Sequence, residues 1–230
     1  MSFVHIQGGS TSVGSGTSTT LTLTSNPVTG NLVCVAVLAN SENPIPSSMA
    51  LSDANGNVYT FTPLSPSEAN PGGNNNLVWL AYLLSAPANA SKTLNFTWVT
   101  SSSLKMYADE FSYSGTVSFD KEIAGSGTTG TTVNSPTITP TNTNSLVFAA
   151  SNSQAAAYTA PTAGGTLGAW TGSDGAIIGG NMAEYDLDVT GAQAVQFTSA
   201  SSQGWGSMAM AFSVSADVIT VQNQYQVVVG

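Results

Sequence analysis

The sequence predicts an all-β protein folded as a jelly-roll-like two-sheet β-sandwich, and three observations support this fold class. Short segments rich in Val, Thr, Tyr, Phe and Trp alternate with clusters of Gly, Pro, Asn and Ser, as strands alternate with turns. Apolar residues do not recur at the i, i+3, i+4, i+7 spacing of a helix over more than two turns. The second half of the chain also echoes the first, which predicts two similar sheets.

Several segments of the first half have the length and composition of strands. They are TSTTLTLTS, NLVCVAVLA, NVYTFTP, NLVWLAYLLS, KTLNFTWVT and LKMYADEFSYS. Between two of them, Asn55-Gly56 predicts a tight hairpin turn. Asp53, Asn55 and Asn57 also alternate like the start of a calcium loop. Because the later bidentate Glu of such a loop is missing, a plain turn is preferred and calcium binding is the alternative.

The internal repeat is much longer than the ~20 to 50 residues of solenoid and propeller repeats. TGNLVCVAVLAN is echoed by NTNSLVFAASNS, and LAYLLSAPANASKTLNFTWVTSSSLKMYADEFSYSG by AEYDLDVTGAQAVQFTSASSQGWGSMAMAFSVSAD. The matched pairs are Leu32 with Leu146, Tyr82 with Tyr185, Phe96 with Phe197, and Phe111 with Phe212.

The repeat also predicts how the domain is built. The two pseudo-repeats, about 18–115 and 131–215, would each expose one apolar sheet face and bury it against the other. We therefore expect one β-sandwich domain over residues 1–215 with an internal pseudo-twofold repeat, and two side-by-side sandwiches are the alternative. Residues 216–230 would follow as a C-terminal strand extension.

A resemblance accompanies these motifs. The order of TGNLVCVAVLAN, LSDANGNVYT, an aromatic strand and YADEFSYSG resembles a β-sandwich module that recurs in bacteriophage virion proteins and bacterial surface proteins. The resemblance covers most of residues 18–215 and consists of strand and turn signatures without catalytic content. It implies a location on a virion or an extracellular surface, and no particular chemistry.

Charge narrows the possible partners. Only 7% of the residues are charged, and twelve acidic residues against three lysines give a net charge of -9. Such a chain lacks the cations that bind phosphates, so neither nucleic acid nor an anionic membrane surface is an expected partner. No stretch reaches the ~18 apolar residues of a membrane span, and no membrane insertion is expected.

Few residues could support catalysis or bind a metal. His5 is the only histidine and is expected to point outward from a strand, whereas Cys34 lies in an apolar run and is expected to be buried. Structural zinc needs about four His or Cys ligands, which the chain does not have. We expect no cofactor and no enzyme activity.

Carboxylates are the remaining chemical candidates, and solvated outer strand faces are the preferred interpretation for them. In MAEYDLDV the acidic residues would share one face, with Tyr185, Leu187 and Val189 on the other. The alternative is a polysaccharide-cleaving pair made of Asp109 or Glu110 with Glu184. The carboxylates concerned are Asp109, Glu110, Glu184, Asp186 and Asp188.

Tryptophans are candidates for sugar binding, because sugar rings stack on exposed aromatic faces. Trp79 and Trp98 fall in register with apolar strand residues and are expected in the core. Trp170 lies in the glycine-rich loop GGTLGAWTGSDG, and Trp205 begins a strand in which it shares a face with small residues. These two are the possible ligand contacts.

Residues 216–230, ADVITVQNQYQVVVG, read as one more strand, with no charge after Asp217. It would either join its own sandwich or add to the sheet of a neighbouring subunit, and the second alternative is preferred. The apolar face for that contact consists of Ile219, Val221, Tyr225, Val227 and Val229.

The sequence therefore favours a non-enzymatic structural subunit of a surface assembly. A phage decoration or fibre-type protein and an extracellular filament subunit both fit, and the lack of a secretory leader pattern in MSFVHIQGGS favours the virion. Its partners would be copies of itself or another virion or surface protein. The alternative is a carbohydrate-binding or adhesin module that binds glycans through Trp170 and Trp205.

Overall fold

The computed structural model of the chain describes residues 2–41, 48–64, 67–69, 75–127, 132–153, 158–159, 181–199 and 204–215. These residues are all-β, as the sequence predicts, and none of them lies in a helix that could cross a membrane. The strands are β1 (Phe3–Thr22), β2 (Leu32–Ser41), β3 (Met49–Asp53), β4 (Thr60–Phe61), β5 (Ser67–Ala69), β6 (Asn75–Leu83), β7 (Thr93–Tyr113), β8 (Thr116–Gly127), β9 (Thr132–Ile138), β10 (Ser145–Ser153), β11 (Tyr158–Thr159), β12 (Asn181–Val189), β13 (Gln193–Ser199) and β14 (Trp205–Ser215).

The strands form three antiparallel sheets. Sheet A has the order β1-β7-β2-β6-β4, with β3 also on β7 and β5 also on β6. Sheet B has the order β12-β10-β14-β8, and the small sheet C has the order β11-β13-β9. The first part of β7 pairs with β3 and its second part with β2, while β1 follows β7 along almost its whole length. Sheet A is therefore nearly closed on itself.

Three hydrophobic clusters hold the sheets together, and continuous apolar runs explain them. In β2, Cys34 and Ala36 face sheet B in what we call the intersheet core, whereas Val33 and Val35 face the inside of folded sheet A, or core A. A strand buried on both faces has no polar alternation, which is why NLVCVAVLA is apolar throughout. A third cluster, core B, contains Val147 and lies on the other face of sheet B.

Apolar packing occurs both between sheets A and B and on their other faces. Sheets A and B bury apolar faces on each other in the intersheet core, as a single sandwich requires. Each half also has a core of its own, core A or core B, as two neighbouring sandwiches would have.

Strand pairing in sheets A and B follows the same pattern. In sheet A, β2 lies between β7 and β6, and in sheet B, β10 lies between β14 and β12. The corresponding pairs are Leu32 with Phe111 and Leu146 with Phe212, then Cys34 with Tyr82 and Phe148 with Tyr185. Three of the four residue pairs matched in the sequence take part in these pairings, whereas Phe96 lies in β7 of sheet A and Phe197 in β13 of sheet C.

The chain crosses between the sheets at one short turn. β7 ends in sheet A at Tyr113, the turn at Ser114 and Gly115 follows, and β8 then runs along the edge of sheet B beside β14. Gly115 has a φ of 102°, a left-handed conformation that glycine adopts without strain. The second sheet is thus completed by a strand that follows directly after the first half.

Candidate functional site

The edge strands β1 and β8 are the candidate interaction sites. Within the described residues β1 pairs with β7 alone, and β8 lies at the end of sheet B beside β14. Val4 and Ile6 on β1 are 51% and 45% exposed. An edge strand presents unpaired backbone N–H and C=O groups, and here it presents exposed apolar side chains as well.

Both edges carry the same irregularity. On β1 the register with β7 shifts between His5 and Gln7, so that Ile6 is an extra residue. On β8 the register with β14 shifts between Phe119 and Lys121, so that Asp120 is the extra residue. β1 and β8 therefore occupy equivalent positions beside β7 and β14, bulge included.

Each edge also contributes one ring to a three-ring cluster in the gap between the sheets. Phe119 of β8 stacks on Tyr82 at a centroid distance of 5.3 Å. His5 of β1 stacks on Tyr185 at 4.7 Å. In each cluster the tyrosine also meets a phenylalanine edge-on, Phe212 in the first and Phe111 in the second. The outward orientation expected for His5 is wrong, because the ring lies between the two sheets.

Asp109 and Glu110 of β7 are fully buried, which contradicts the expected solvated outer face. The Oδ1 of Asp109 lies 2.9 Å from the Nε2 of His5. A buried carboxylate needs such a partner, because transfer out of water is costly without one. Together with desolvation by burial, which is the larger effect, the charge of Asp109 raises the pKa of the buried Cys34 thiol. The burial expected for Cys34 is confirmed.

Glu110 joins β1 to the segment that precedes β2. Its Oε2 accepts a hydrogen bond from Nε2 of Gln7 at 2.5 Å. Its Oε1 accepts from the backbone N–H of Val28 at 2.7 Å and from Nδ2 of Asn31 at 2.6 Å. Gln7 in turn binds both backbone groups of Ser25. Three donors thus saturate a carboxylate that the sequence offered as a catalytic acid.

Gly8 is required where β1 passes Asp109. A Cβ added to Gly8 would overlap the Oδ1 of Asp109, and the next atom, its Cγ, would be 3.1 Å away. Only glycine lets this carboxylate lie against the β1 backbone and reach His5. His5, Gln7 and Gly8 therefore form, with Asp109 and Glu110, a polar clasp that holds β1; we call it the β1 clasp.

The acidic row of MAEYDLDV does not share one face. Tyr185 and Leu187 face the intersheet core, but Val189 belongs to core B, which corrects the predicted alternation. The reason is a bulge, because the register with β10 shifts near this end and Asp188 has a left-handed φ of 57°. Glu184 lies in β12 opposite Ala149, with its side chain outside the described residues.

Asp186 is buried and accepts a hydrogen bond from Nε2 of Gln193 at 2.9 Å. Burial raises the pKa of its carboxyl to about 6; the backbone N–H of Leu187 opposes the shift, and the charge of Asp188 adds to it. This residue was also expected on a solvated face. Instead it is an acid kept away from water at the margin of core B.

The tryptophans are distributed differently from the prediction. Trp79 and Trp98 are buried in core A, as expected. Trp205 is only 8% exposed and packs in core B, where it covers Gly127, so the surface position expected for a ligand contact is wrong. Trp170 lies outside the described residues. An open groove of about 310 Å³ runs beside β3, lined by Ser48, Met49, Ala50, Thr97, Trp98 and Val99.

The Asp53 turn is tied to its own backbone. Oδ1 of Asp53 accepts from the N–H groups of Asn55 and Asn57, and Oδ2 accepts from Asn57 Nδ2 and the N–H of Ser91. Burial alone would raise the pKa of Asp53, but these hydrogen bonds lower it below its ordinary value. The carboxylate oxygens that a calcium ion would use are therefore bonded to N–H donors. Within the described residues no three His, Cys, Asp or Glu side chains lie close enough to hold a metal.

Comparisons of the chain with protein-family models, with curated proteins and with solved structures gave no match. The predicted intersubunit face, Ile219, Val221, Tyr225, Val227 and Val229, lies outside the described residues. The function is therefore argued from the edges of sheets A and B, which are the open strand-pairing positions in this part of the fold.

Proposed function

We propose that the protein is a non-enzymatic structural subunit of a surface assembly in which residues 216–230 of one copy add as a strand to a neighbouring copy. A phage decoration or fibre-type protein and an extracellular filament subunit are the two settings, and the partners are copies of itself or another virion or surface protein. The domain would be a jelly-roll-like sandwich with an internal pseudo-twofold repeat, ending in this strand extension.

The observation that carries the proposal is the way β8 completes sheet B. It follows the first half of the chain directly but pairs with β14, the last strand of the second half. The fold thus already uses a strand from one unit to close the sheet of the other. A further strand after β14, in residues 216–230, extends the same principle to a neighbouring copy.

The open edge of sheet A supports the same proposal. β1 has exposed apolar residues and, within the described residues, one strand neighbour. Backbone groups on such an edge give affinity in strand addition, and alternate side chains give specificity. The low charge of the chain, 7%, also favours close packing of copies, because few charges have to be desolvated.

The test compares the full chain with a version ending at Ser215, by light scattering and negative-stain imaging. We expect fixed oligomers, rings or filaments from the full chain and a folded monomer from the shorter one. Stable monomers from both would contradict the proposal. Unfolding of the shorter chain would also contradict it, because residues 216–230 would then belong to their own sandwich.

A matched pair of substitutions keeps the chain length constant. Val221→Asp places a charge on the apolar face of the segment, and Gln224→Asp places the same charge on its polar face. We expect the first to weaken assembly more than the second. Equal effects of the two would show that net charge, and not this face, governs association.

Glycan binding is the second candidate, and the groove beside Trp98 is the feature that favours it. It is open and partly apolar, as sugar-binding surfaces are, and Ala50, Thr97 and Val99 in its lining are exposed. A glycan array with Trp170→Ala and Val99→Ser variants tests it. Uniformly negative arrays with calcium present would contradict it.

A further inference from the structure

We infer that residues 218–224 of one copy enter a second copy in the place of β1, in the slot beside β7 that contains Asp109 and Glu110. This inference rests on the proposed function, which requires only that the segment joins a neighbour. It adds which strand is replaced, in which register, and by which contacts the replacement is recognised.

The first argument is topological. After β7 the chain turns at Ser114 and Gly115 and crosses to the edge of sheet B as β8. When β7 is aligned with β14 through these pairings, Tyr113 corresponds to Val214. Residues 215–216 then correspond to the turn residues Ser114 and Gly115. The matching crossing leads from sheet B to the edge of sheet A, which is the slot beside β7. In the described structure β1 fills that slot.

The second argument is the similarity between the segment and β1. Because β1 and β8 share one bulge, the correspondence of strands aligns Phe3 with Val117, and Val117 aligns with Val218. FVHIQG at residues 3–8 then aligns with VITVQN at residues 218–223. Val4 falls on Ile219, Ile6 on Val221 and Gln7 on Gln222. The corresponding stretch of β8, VSFDKE, has Ser118, Asp120 and Lys121 at these three positions.

The third argument is the chemistry of the slot. Gln222 in the place of Gln7 keeps the amide that donates to Oε2 of Glu110. Thr220 in the place of His5 carries its hydroxyl on Cβ, whereas His5 reaches Asp109 with Nε2 at the far end of its ring, so this hydrogen bond is not reproduced. Glu110 therefore finds its donor on the incoming strand, which an arbitrary apolar strand would not supply.

Two positions fit less well than β1 does. Thr220 lacks the ring that stacks on Tyr185, and Asn223 falls on Gly8, where a Cβ overlaps Asp109, so the segment enters only if the Asp109 side chain turns away from the strand. The asymmetry has a use, because it makes β1 the better resident strand of an isolated copy. The segment then enters only where assembly compensates for the weaker fit.

Disulfide trapping between two copies tests the slot directly. Ser112 pairs with Val4 in β1, so a segment in this register brings residue 219 opposite Ser112. A chain carrying Ser112→Cys is mixed with a chain carrying Ile219→Cys and oxidised mildly, with each variant alone as a control. Facing strand residues have the Cβ separation that a disulfide needs. We expect a covalent dimer from the mixture and none from Ser112→Cys alone.

The matched control uses the other edge. Ser213 on β14 is the counterpart of Ser112 and pairs with Ser118 of β8. Ser213→Cys mixed with Ile219→Cys should give no dimer, because β8 is linked to β7 by a two-residue turn and is not exchanged. A dimer with Ser213→Cys, or none with Ser112→Cys while assembly still depends on residues 216–230, overturns this inference and leaves the proposed function standing. Monomers from both full and shortened chains overturn both.

Two more variants sharpen the result. Thr220→His with Asn223→Gly makes the segment more like β1, and we expect the yield of the Ser112 cross-link to rise about tenfold, which corresponds to ~1.4 kcal/mol. His5→Ala weakens the resident strand and should act in the same direction. If the double variant Ser112→Cys with Ile219→Cys in one chain cross-links only within itself, exchange between copies is excluded.

Discussion

The slots beside β7 and β14 have the same backbone and opposite chemistry. Beside β14, the edge strand β8 lies opposite Ala211 and Met210, and its Phe119 ring packs among apolar side chains. Beside β7, the matching positions are Glu110 and Asp109, and the edge strand is held by the β1 clasp. The comparison teaches that matching positions are apolar on β14 and carboxylates on β7, and that only the second pair has to be satisfied by donors.

This difference determines what each slot can distinguish. Apolar packing accepts any side chain of suitable size, so the strand in that slot is fixed by its short link to β7. Buried carboxylates accept only a strand that brings donors at the right spacing, because an unpaired carboxylate is costly. The polar slot is therefore the one suited to recognising a strand from elsewhere.

The largest expected effect comes from removing the carboxylate that joins β1 to the segment before β2. Glu110→Ala leaves three donors without their acceptor, on Gln7, Val28 and Asn31, and should lower the free energy of unfolding by about 3–5 kcal/mol. Chemical denaturation measures the change. Glu110→Gln keeps one acceptor oxygen and should cost clearly less; equal losses would mean that packing, not hydrogen bonding, is lost.

A smaller effect separates the two ring clusters. Phe119→Ala removes an aromatic ring from the intersheet core and should cost about 2–4 kcal/mol. His5→Ala removes a half-buried ring and one hydrogen bond, and should cost about 1–2 kcal/mol. Thermal unfolding of the two variants side by side measures the difference. A larger loss at His5 would contradict the distinction between an apolar and a polar slot.

Much of the fold could be predicted from the alternation of apolar residues and from the internal repeat of the sequence. The all-β class, the buried run around Cys34 and the core positions of Trp79 and Trp98 follow from apolar periodicity, which depends only on near neighbours. The β1 clasp could not be predicted in this way, because its carboxylates lie about a hundred positions from His5 and Gln7 in the chain. Gly8 was the local signal, a glycine within a strand where a side chain approaches the backbone.

The remaining expectations were based on strict alternation, and they failed where a strand contains a bulge or is buried on both faces. Strict alternation placed Val189 with Tyr185, but the left-handed Asp188 turns the strand end and moves Val189 into core B. Asp186 keeps the predicted face, but it was assigned to water because that face was expected to be solvated, whereas it packs against core B. Trp205 looked accessible beside small residues, yet those small residues are the ones that let a large ring pack closely.

The smallest effect concerns Asp186. It pairs with Val147 in sheet B, as Leu83 pairs with Val33 in sheet A, so that Asp186 and Leu83 occupy corresponding places. Burial raises its pKa in the folded chain to about 6, above the ordinary value of 3.8. Below about pH 3 the group is protonated in both states and costs nothing. As the pH rises from about 3 to 7 the unfolded chain ionises first, so stability falls and then stays level.

Asp186→Asn removes this ionisation while keeping an acceptor for Gln193. We expect the variant to unfold at a higher temperature than the parent at pH 8 and to show no advantage near pH 3, about one unit below the ordinary pKa. Asp188→Asn, on an exposed neighbour, is the control and should change the pH profile less. Asp53 shifts in the opposite direction, so its contribution is present above pH 4 and is lost in acid, where both chains should weaken together. If the unfolding temperatures of parent and Asp186→Asn change in parallel between pH 4 and 7, the Asp186 carboxyl reaches water. Asp186 would then be a surface residue of sheet B.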